Sequence, residues 1–222
     1  MPTSLTDLRL MARQKADMEN SSFVSDDEVD RALQDGYKKL YKLLVSKNTD
    51  LFVAEPYEFT LSSGNTVALP TGFYKLLGVD YNDGSWRELD PFMFNERNAS
   101  TEALRGRRGR ASKFRYRTIG SSLYITPSDD CAGDYRLWYV PTCPVLTTTE
   151  ELDAESDEYR DYVINEAAIV FLAKEESDVS VLMAANAQIV MNIEKEAATR
   201  DIGRSERVQD VRGDYGGEDF FP

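Results

Sequence analysis

Residues 25–61, SDDEVDRALQDGYKKLYKLLVSKNTDLFVAEPYEFTL, change period near their middle, and that change sets the fold class. The stretch opens with Ser25 three residues before Glu28, the spacing of a capping box. Val24 and Val29 stand at the positions of a hydrophobic staple. Val29, Leu33, Tyr37, Leu40, Tyr41 and Leu44 then recur every three or four residues, one face of a helix that ends near Asn48. From Tyr57 the period falls to two: Tyr57, Phe59 and Leu61 alternate with Glu58 and Thr60, as in a half-buried strand.

Upstream, Leu5, Leu8, Met11 and Ala12 predict a helix over about Ser4–Met18. Downstream, Gly64-Asn65 can supply the positive φ angles of a hairpin whose returning strand is Thr66–Leu69. Phe73–Tyr81 is a further strand, turned at Asn82-Asp83-Gly84 into Ser85–Leu89. Asp90-Pro91 is read as opening a short helical turn through about Asn98. Strands follow over Lys113–Ile119, Ser122–Thr126 and Tyr135–Val140. Such short antiparallel strands point to a sandwich or small barrel.

A third region is acidic and helical. Ser156-Asp157-Glu158 suits a helix N-terminus, and Tyr159, Tyr162, Val163, Glu166, Ala167, Val170, Phe171 and Lys174 keep the helical period. A break at Glu175–Asp178 is expected, with Ser177 capping a second helix to about Arg200. That helix is expected to bury Val181, Leu182, Ala185, Ile189, Val190 and Ile193. The reading is α+β: a helical bundle of N- and C-terminal helices, an inserted antiparallel β sandwich or barrel-like domain, and an extended C-terminal arm. Its boundaries are residues 1–50 for the N-terminal helices, 51–148 for the β-rich part, 149–200 for the helical pair and 201–222 for the arm.

Composition narrows the function. The chain has 222 residues, 41% of them apolar, which suits a globular protein with a sizeable core. The longest apolar run, Ala167–Ala173, is far short of the ~20 residues of a membrane span, and Met1–Asp7 lacks a signal pattern. No membrane partner is expected, and synthesis in a cytoplasm is. A net charge of −13 opposes general binding to nucleic acid or acidic membranes. The absence of histidine removes the commonest general base and the usual zinc ligand. No enzyme activity and no cofactor or metal are therefore expected. Cys131 and Cys143 would lie about 40 Å apart along an extended strand, so two free thiols are expected.

The charge is unevenly spread. Between Arg105 and Arg117 there are seven basic residues and no acidic one, whereas Glu150–Thr199 holds thirteen acidic residues against three basic ones. Patches of opposite sign suit head-to-tail association. Arg105, Arg107, Arg108 and Arg110 are spaced by glycine, and Lys113, Arg115 and Arg117 alternate with Phe114 and Tyr116. In a strand this puts cations on one face and aromatics on the other. The segment can face an acidic protein partner, contact DNA without sequence preference, or close onto the subunit's own acidic helices. In the arm, Arg204, Arg207, Arg212 and Tyr215 precede the aromatic pair Phe220 and Phe221. This reads either as a docking arm that orders on a neighbour or as a solvated terminus. The run Glu150, Glu151, Asp153, Glu155, Asp157 and Glu158 is read as a solvated, dipole-compensating start to a helix rather than a metal cluster.

These residues resemble a known family. The helices lead into Val67-Ala-Leu-Pro-Thr-Gly-Phe-Tyr74, and Lys75-Leu-Leu-Gly-Val79 leads on to Trp86 and Leu89-Asp-Pro91. Gly120-Ser-Ser-Leu-Tyr-Ile-Thr-Pro127 is answered by Tyr135-Arg-Leu-Trp-Tyr-Val-Pro141, and a long helical pair with an extended tail follows. In order and spacing the pattern, over about residues 25–200, resembles the head–tail adaptor (connector, head-completion, tail-tubular-like) proteins of tailed bacteriophages. The resemblance implies a structural subunit of the virion neck, made in the host bacterial cytoplasm. It implies a ring of about twelve copies of itself between the portal protein and the tail or nozzle proteins, continuing a channel through which DNA passes without sequence-specific contact. A DNA-binding module using residues 105–117 is the alternative, and a carboxylate-dependent hydrolase a third reading that no motif demands.

Overall fold

The computed structural model describes residues 3–19, 22–97, 114–127, 131–147 and 151–200. Helix α1 (Leu5–Lys15) starts at Ser4, whose hydroxyl accepts the Asp7 N–H. Helix α2 (Asp26–Lys47) starts at the capping box read from the sequence. The Glu28 N–H donates to Ser25 Oγ at 3.4 Å and the Ser25 N–H to Glu28 Oε2 at 2.9 Å. Val24 and Val29 are both buried in the same cluster, as a staple requires. A 3₁₀ turn (Thr49–Phe52) then leads into the strands.

The strands are β1 (Tyr57–Leu61), β2 (Thr66–Ala68), β3 (Phe73–Asn82), β4 (Trp86–Glu88), β5 (Asp90–Pro91), β6 (Arg115–Ile119), β7 (Ser122–Thr126) and β8 (Gly133–Pro141). They form two sheets, ordered β1-β8-β3-β4 and β2-β7-β6-β5. Leu61, Val79, Tyr135 and Leu137 of the first share one buried cluster with Tyr116, Leu123 and Ile125 of the second. The sheets therefore face each other, as an α+β chain with a sandwich-like part demands.

Three expectations fail in detail. The turn at Gly64-Asn65 does not close a hairpin: β1 pairs with β8 while β2 pairs with β7. Gly64 takes the positive φ of +76° that was anticipated, but the Asn65 carbonyl accepts the Ile125 N–H at 2.8 Å, steering the chain into the other sheet. Asp90-Pro91 does not open a helical turn. It forms the short strand β5, parallel to β6 in an otherwise antiparallel fold, and a 3₁₀ turn comes later at Phe94–Glu96. Ser177 does not cap the last helix, as described below.

A short turn α3 (Ala154–Asp157) precedes α4 (Arg160–Lys174) and α5 (Ser180–Arg200). Asp153 caps α3, accepting the Ser156 N–H at 2.8 Å, and also receives the Tyr37 hydroxyl from α2. Helix α4 ends in a Schellman-type closure: Ser177 N–H donates to the Leu172 carbonyl at 2.9 Å, with Glu176 at φ +60°. That bond commits Ser177 to the end of α4, and Asp178 instead accepts the Ser180 N–H at 2.9 Å. The helices share a second cluster that includes Leu8, Leu33, Tyr37, Leu40, Val163, Phe171 and Ile193.

Strands β3 and β8 join the two clusters. Leu137 faces the β cluster, while Val140, three residues on and therefore on the opposite face, packs with the helices. Register shifts in β3 between Phe73 and Lys75 and between Leu76 and Gly78 accompany this change of face. The Tyr41 hydroxyl of α2 donates to the Pro141 carbonyl at 2.9 Å, fixing the helices to the end of β8.

Candidate interaction surfaces

The basic segment enters the described part of the chain only at its end. Arg105, Arg107, Arg108, Arg110 and Lys113 lie outside the described residues. Phe114 and Tyr116 are buried in the β cluster, and the half-buried Arg115 and Arg117 alternate with them as expected of a strand. Arg117 is tied to the fold. It donates from Nη1 to the Phe92 carbonyl at 2.9 Å, and its guanidinium lies 5.9 Å from the Phe94 ring centroid. Arg97 covers the same ring at 4.7 Å. Met93 and Phe94 are exposed at the root of the 98–113 segment. This apolar tip flanked by two arginines escaped the sequence reading; the consecutive apolar residues Phe92-Met93-Phe94 were its available signal.

The arm residues Arg204, Arg207, Arg212, Tyr215, Phe220 and Phe221 also lie outside the described residues. The helix that leads to them differs from expectation. In α5, Ile193 and Asn186 are buried and Leu182, Ile189 and Val190 are half-buried, but Val181 and Ala185 are exposed, as are Met183 and Met191. The stripe facing the protein is narrow because a polar chain runs through it. Asn165 Nδ2 donates to Asn186 Oδ1 at 3.0 Å, Asn186 Nδ2 to Glu166 Oε1 at 2.8 Å, and Lys39 Nζ to Glu166 Oε2 at 2.6 Å. These bonds tie α2, α4 and α5 together and fix their register, as buried polar residues do between helices.

The carboxylates at the start of the third region act as caps and ties. Asp153 caps α3, and Asp157 accepts both the Thr3 N–H at 3.0 Å and the Thr3 hydroxyl. Among the described residues no group of three or more His, Cys, Asp or Glu is placed to hold a metal ion. No helix among them is long and apolar enough to cross a membrane. Both cysteines are free thiols, Cys131 buried and Cys143 half-buried. Burial, reinforced by the Asp153 carboxylate, pushes the Cys143 thiol up to about 12, the opposite of what a nucleophile needs.

A concavity of about 510 Å³ is an open groove between α2 and α4. Val24, Ala32, Val170 and Phe171 give it an apolar base. Its rims carry Arg31, Lys38, Lys39, Lys42 and Lys174 against Glu28 and Asp35. Lys174 Nζ bonds Glu28 Oε1 at 2.9 Å and lies 4.8 Å from the Phe23 ring centroid. The groove holds no histidine, and Glu28 and Asp35 are the carboxylates that line it. Compared with known proteins, residues 3–213 match the family model described as SU10 adaptor protein. No curated protein matches the chain.

Proposed function

We propose a ring-forming neck subunit, from the premise that the chain belongs to the SU10 adaptor protein family, a family of phage head–tail adaptors. The chain is thus a structural adaptor of a phage particle. The finer reading is that about twelve copies form a ring between the portal and the tail, continue the DNA channel and dock tail or nozzle proteins. One observation carries it: the family match spans the helices, both sheets and most of the C-terminal segment, so it concerns the whole body of the subunit.

The charge distribution supports the reading. Neighbours in a ring meet through two different faces, and this chain separates a basic segment at 105–117 from an acidic region at 150–199. In the ring, Arg105, Arg107, Arg108, Arg110, Lys113, Arg115 and Arg117 face an acidic protein surface rather than gripping DNA, which must slide during ejection. The arm, with Arg204, Arg207, Arg212, Tyr215, Phe220 and Phe221, locks the subunit to the portal or the adjoining ring.

Deletion of residues 204–222 tests this. Both hydrophobic clusters lie upstream of the cut, so the shortened protein is expected to keep its far-ultraviolet dichroism and melting transition. It is expected to lose docking to tailless, DNA-filled heads in a sedimentation assay. Docking at full strength by the shortened protein would refute the role given to the arm.

A further inference from the structure

We infer that, in the unassembled subunit, the acidic-aromatic end Glu218-Asp-Phe-Phe221 rests in the α2–α4 groove of its own chain. The groove is a basic site on an acidic protein: five cations face two carboxylates there, although the chain as a whole carries −13. Lys38, Lys39 and Lys174 are paired with Asp35, Glu166 and Glu28, whereas Arg31 and Lys42 carry no ion pair with the described residues. Its base includes Val170, an apolar side chain left 53% exposed. The site therefore asks for a ligand that is both anionic and apolar. Glu218 and Asp219 followed by Phe220 and Phe221 have that composition.

Reach also favours the chain's own end. Helix α4 runs antiparallel to α2, as the Lys39–Glu166 and Lys174–Glu28 pairs show. Helix α5 turns back again, and Lys47 Nζ meets Glu194 Oε1 at 2.9 Å. The C-terminal end of α5 thus lies beside the C-terminal end of α2. From Lys47 back to Arg31 is about 24 Å along the helix. Residues 201–217, which include Gly203, Gly213, Gly216 and Gly217, span up to about 55 Å when extended. A tether of this length holds its end at about millimolar local concentration near the groove. Stored in this way, the end is withheld from neighbours until assembly offers a better site. The storage does not depend on the ring reading, since a subunit that never assembles would still hold its own end.

Zero-length carbodiimide cross-linking of the full-length protein tests the inference. The reagent joins a carboxylate to a lysine amine only where the two touch. An equal mixture of ¹⁴N- and ¹⁵N-labelled protein separates bonds within a chain from bonds between chains. Glu218 or Asp219 is expected to join Lys38 or Lys42 in peptides of a single label, and the yield is expected to fall at least fivefold in a Phe220→Ala/Phe221→Ala variant. Absence of these links, mixed-label links, or a yield unchanged by the two alanines would each overturn it.

Discussion

Gly36 of α2 touches Val163 of α4 so closely that a Cβ on the glycine would stand 3.1 Å from the Val163 carbonyl oxygen and 3.0 Å from Glu166 Cβ. A glycine in mid-helix costs about 1 kcal/mol relative to alanine, and close approach of the two helices is what this position obtains in return. Both neighbours belong to, or sit directly on, the α4 backbone, so neither can swing aside. Gly36→Ala is expected to lower stability by about 1 kcal/mol despite its better helix propensity, and Gly36→Leu by about 3 kcal/mol, by the overpacking seen in tight cores. Urea denaturation of the two variants measures this; a stabilised Gly36→Ala would show that the helices can part at no cost.

Asp80 of β3 holds two residues of β8. Arg136 Nε donates to Asp80 Oδ2 at 2.6 Å and Trp138 Nε1 at 2.8 Å, while the Arg136 guanidinium lies 4.5 Å from the Trp86 ring centroid and 5.1 Å from that of Trp138. Removing the carboxylate strands a partly buried guanidinium. Asp80→Ala is expected to cost about 3 kcal/mol. Arg136→Met/Asp80→Ala together is expected to cost less than the sum of the single changes. Thermal denaturation of the double-mutant cycle checks both statements.

Glu28 is held at about 2, well below the usual carboxylate value of 4.5, first by the Ser25 backbone N–H and then by Lys174. A carboxyl depressed on folding stabilises the protein above its unfolded value, and that contribution fades as pH falls from about 4.5 toward 2. The carboxyl carbon of Glu28 is expected to titrate near 2 by NMR, and to move upward in Lys174→Met. A normal titration midpoint in the unmodified protein would contradict the capping-box geometry.

Cys143, pushed up to about 12, is neutral in the folded protein across the physiological range. It favours the fold below its ordinary value of 9, and that advantage disappears as pH rises toward 12. Alkylation by iodoacetamide at pH 8, followed by peptide mapping, is expected to run at least about tenfold slower at Cys143 in the native state than in urea.

The elements with strong local signals were legible in the sequence. Ser25 and Glu28 announce α2 because a capping box needs nothing beyond three residues of chain. The alternation of Phe114, Arg115, Tyr116 and Arg117 announces a strand whose aromatic face is buried. Strand partners were not legible. Gly64 adopts the conformation of a hairpin turn, yet β1 and β2 separate because β8 and β7, more than fifty residues away, supply better edges. Helix α5 misled for a related reason. It has apolar residues on more than one side, and periodicity does not say which stripe the Asn165–Asn186–Glu166 chain selects. The groove between α2 and α4 was likewise invisible, since its rims come from residues more than a hundred positions apart.

The adaptor account is tested most directly by symmetry-averaged electron cryo-microscopy of the neck of the particle that encodes this chain. It predicts a closed ring of about twelve copies between portal and tail, with the helices and two facing sheets described above fitting the density of each subunit. A neck whose density is filled by other chains, with this polypeptide missing from purified particles, would contradict it.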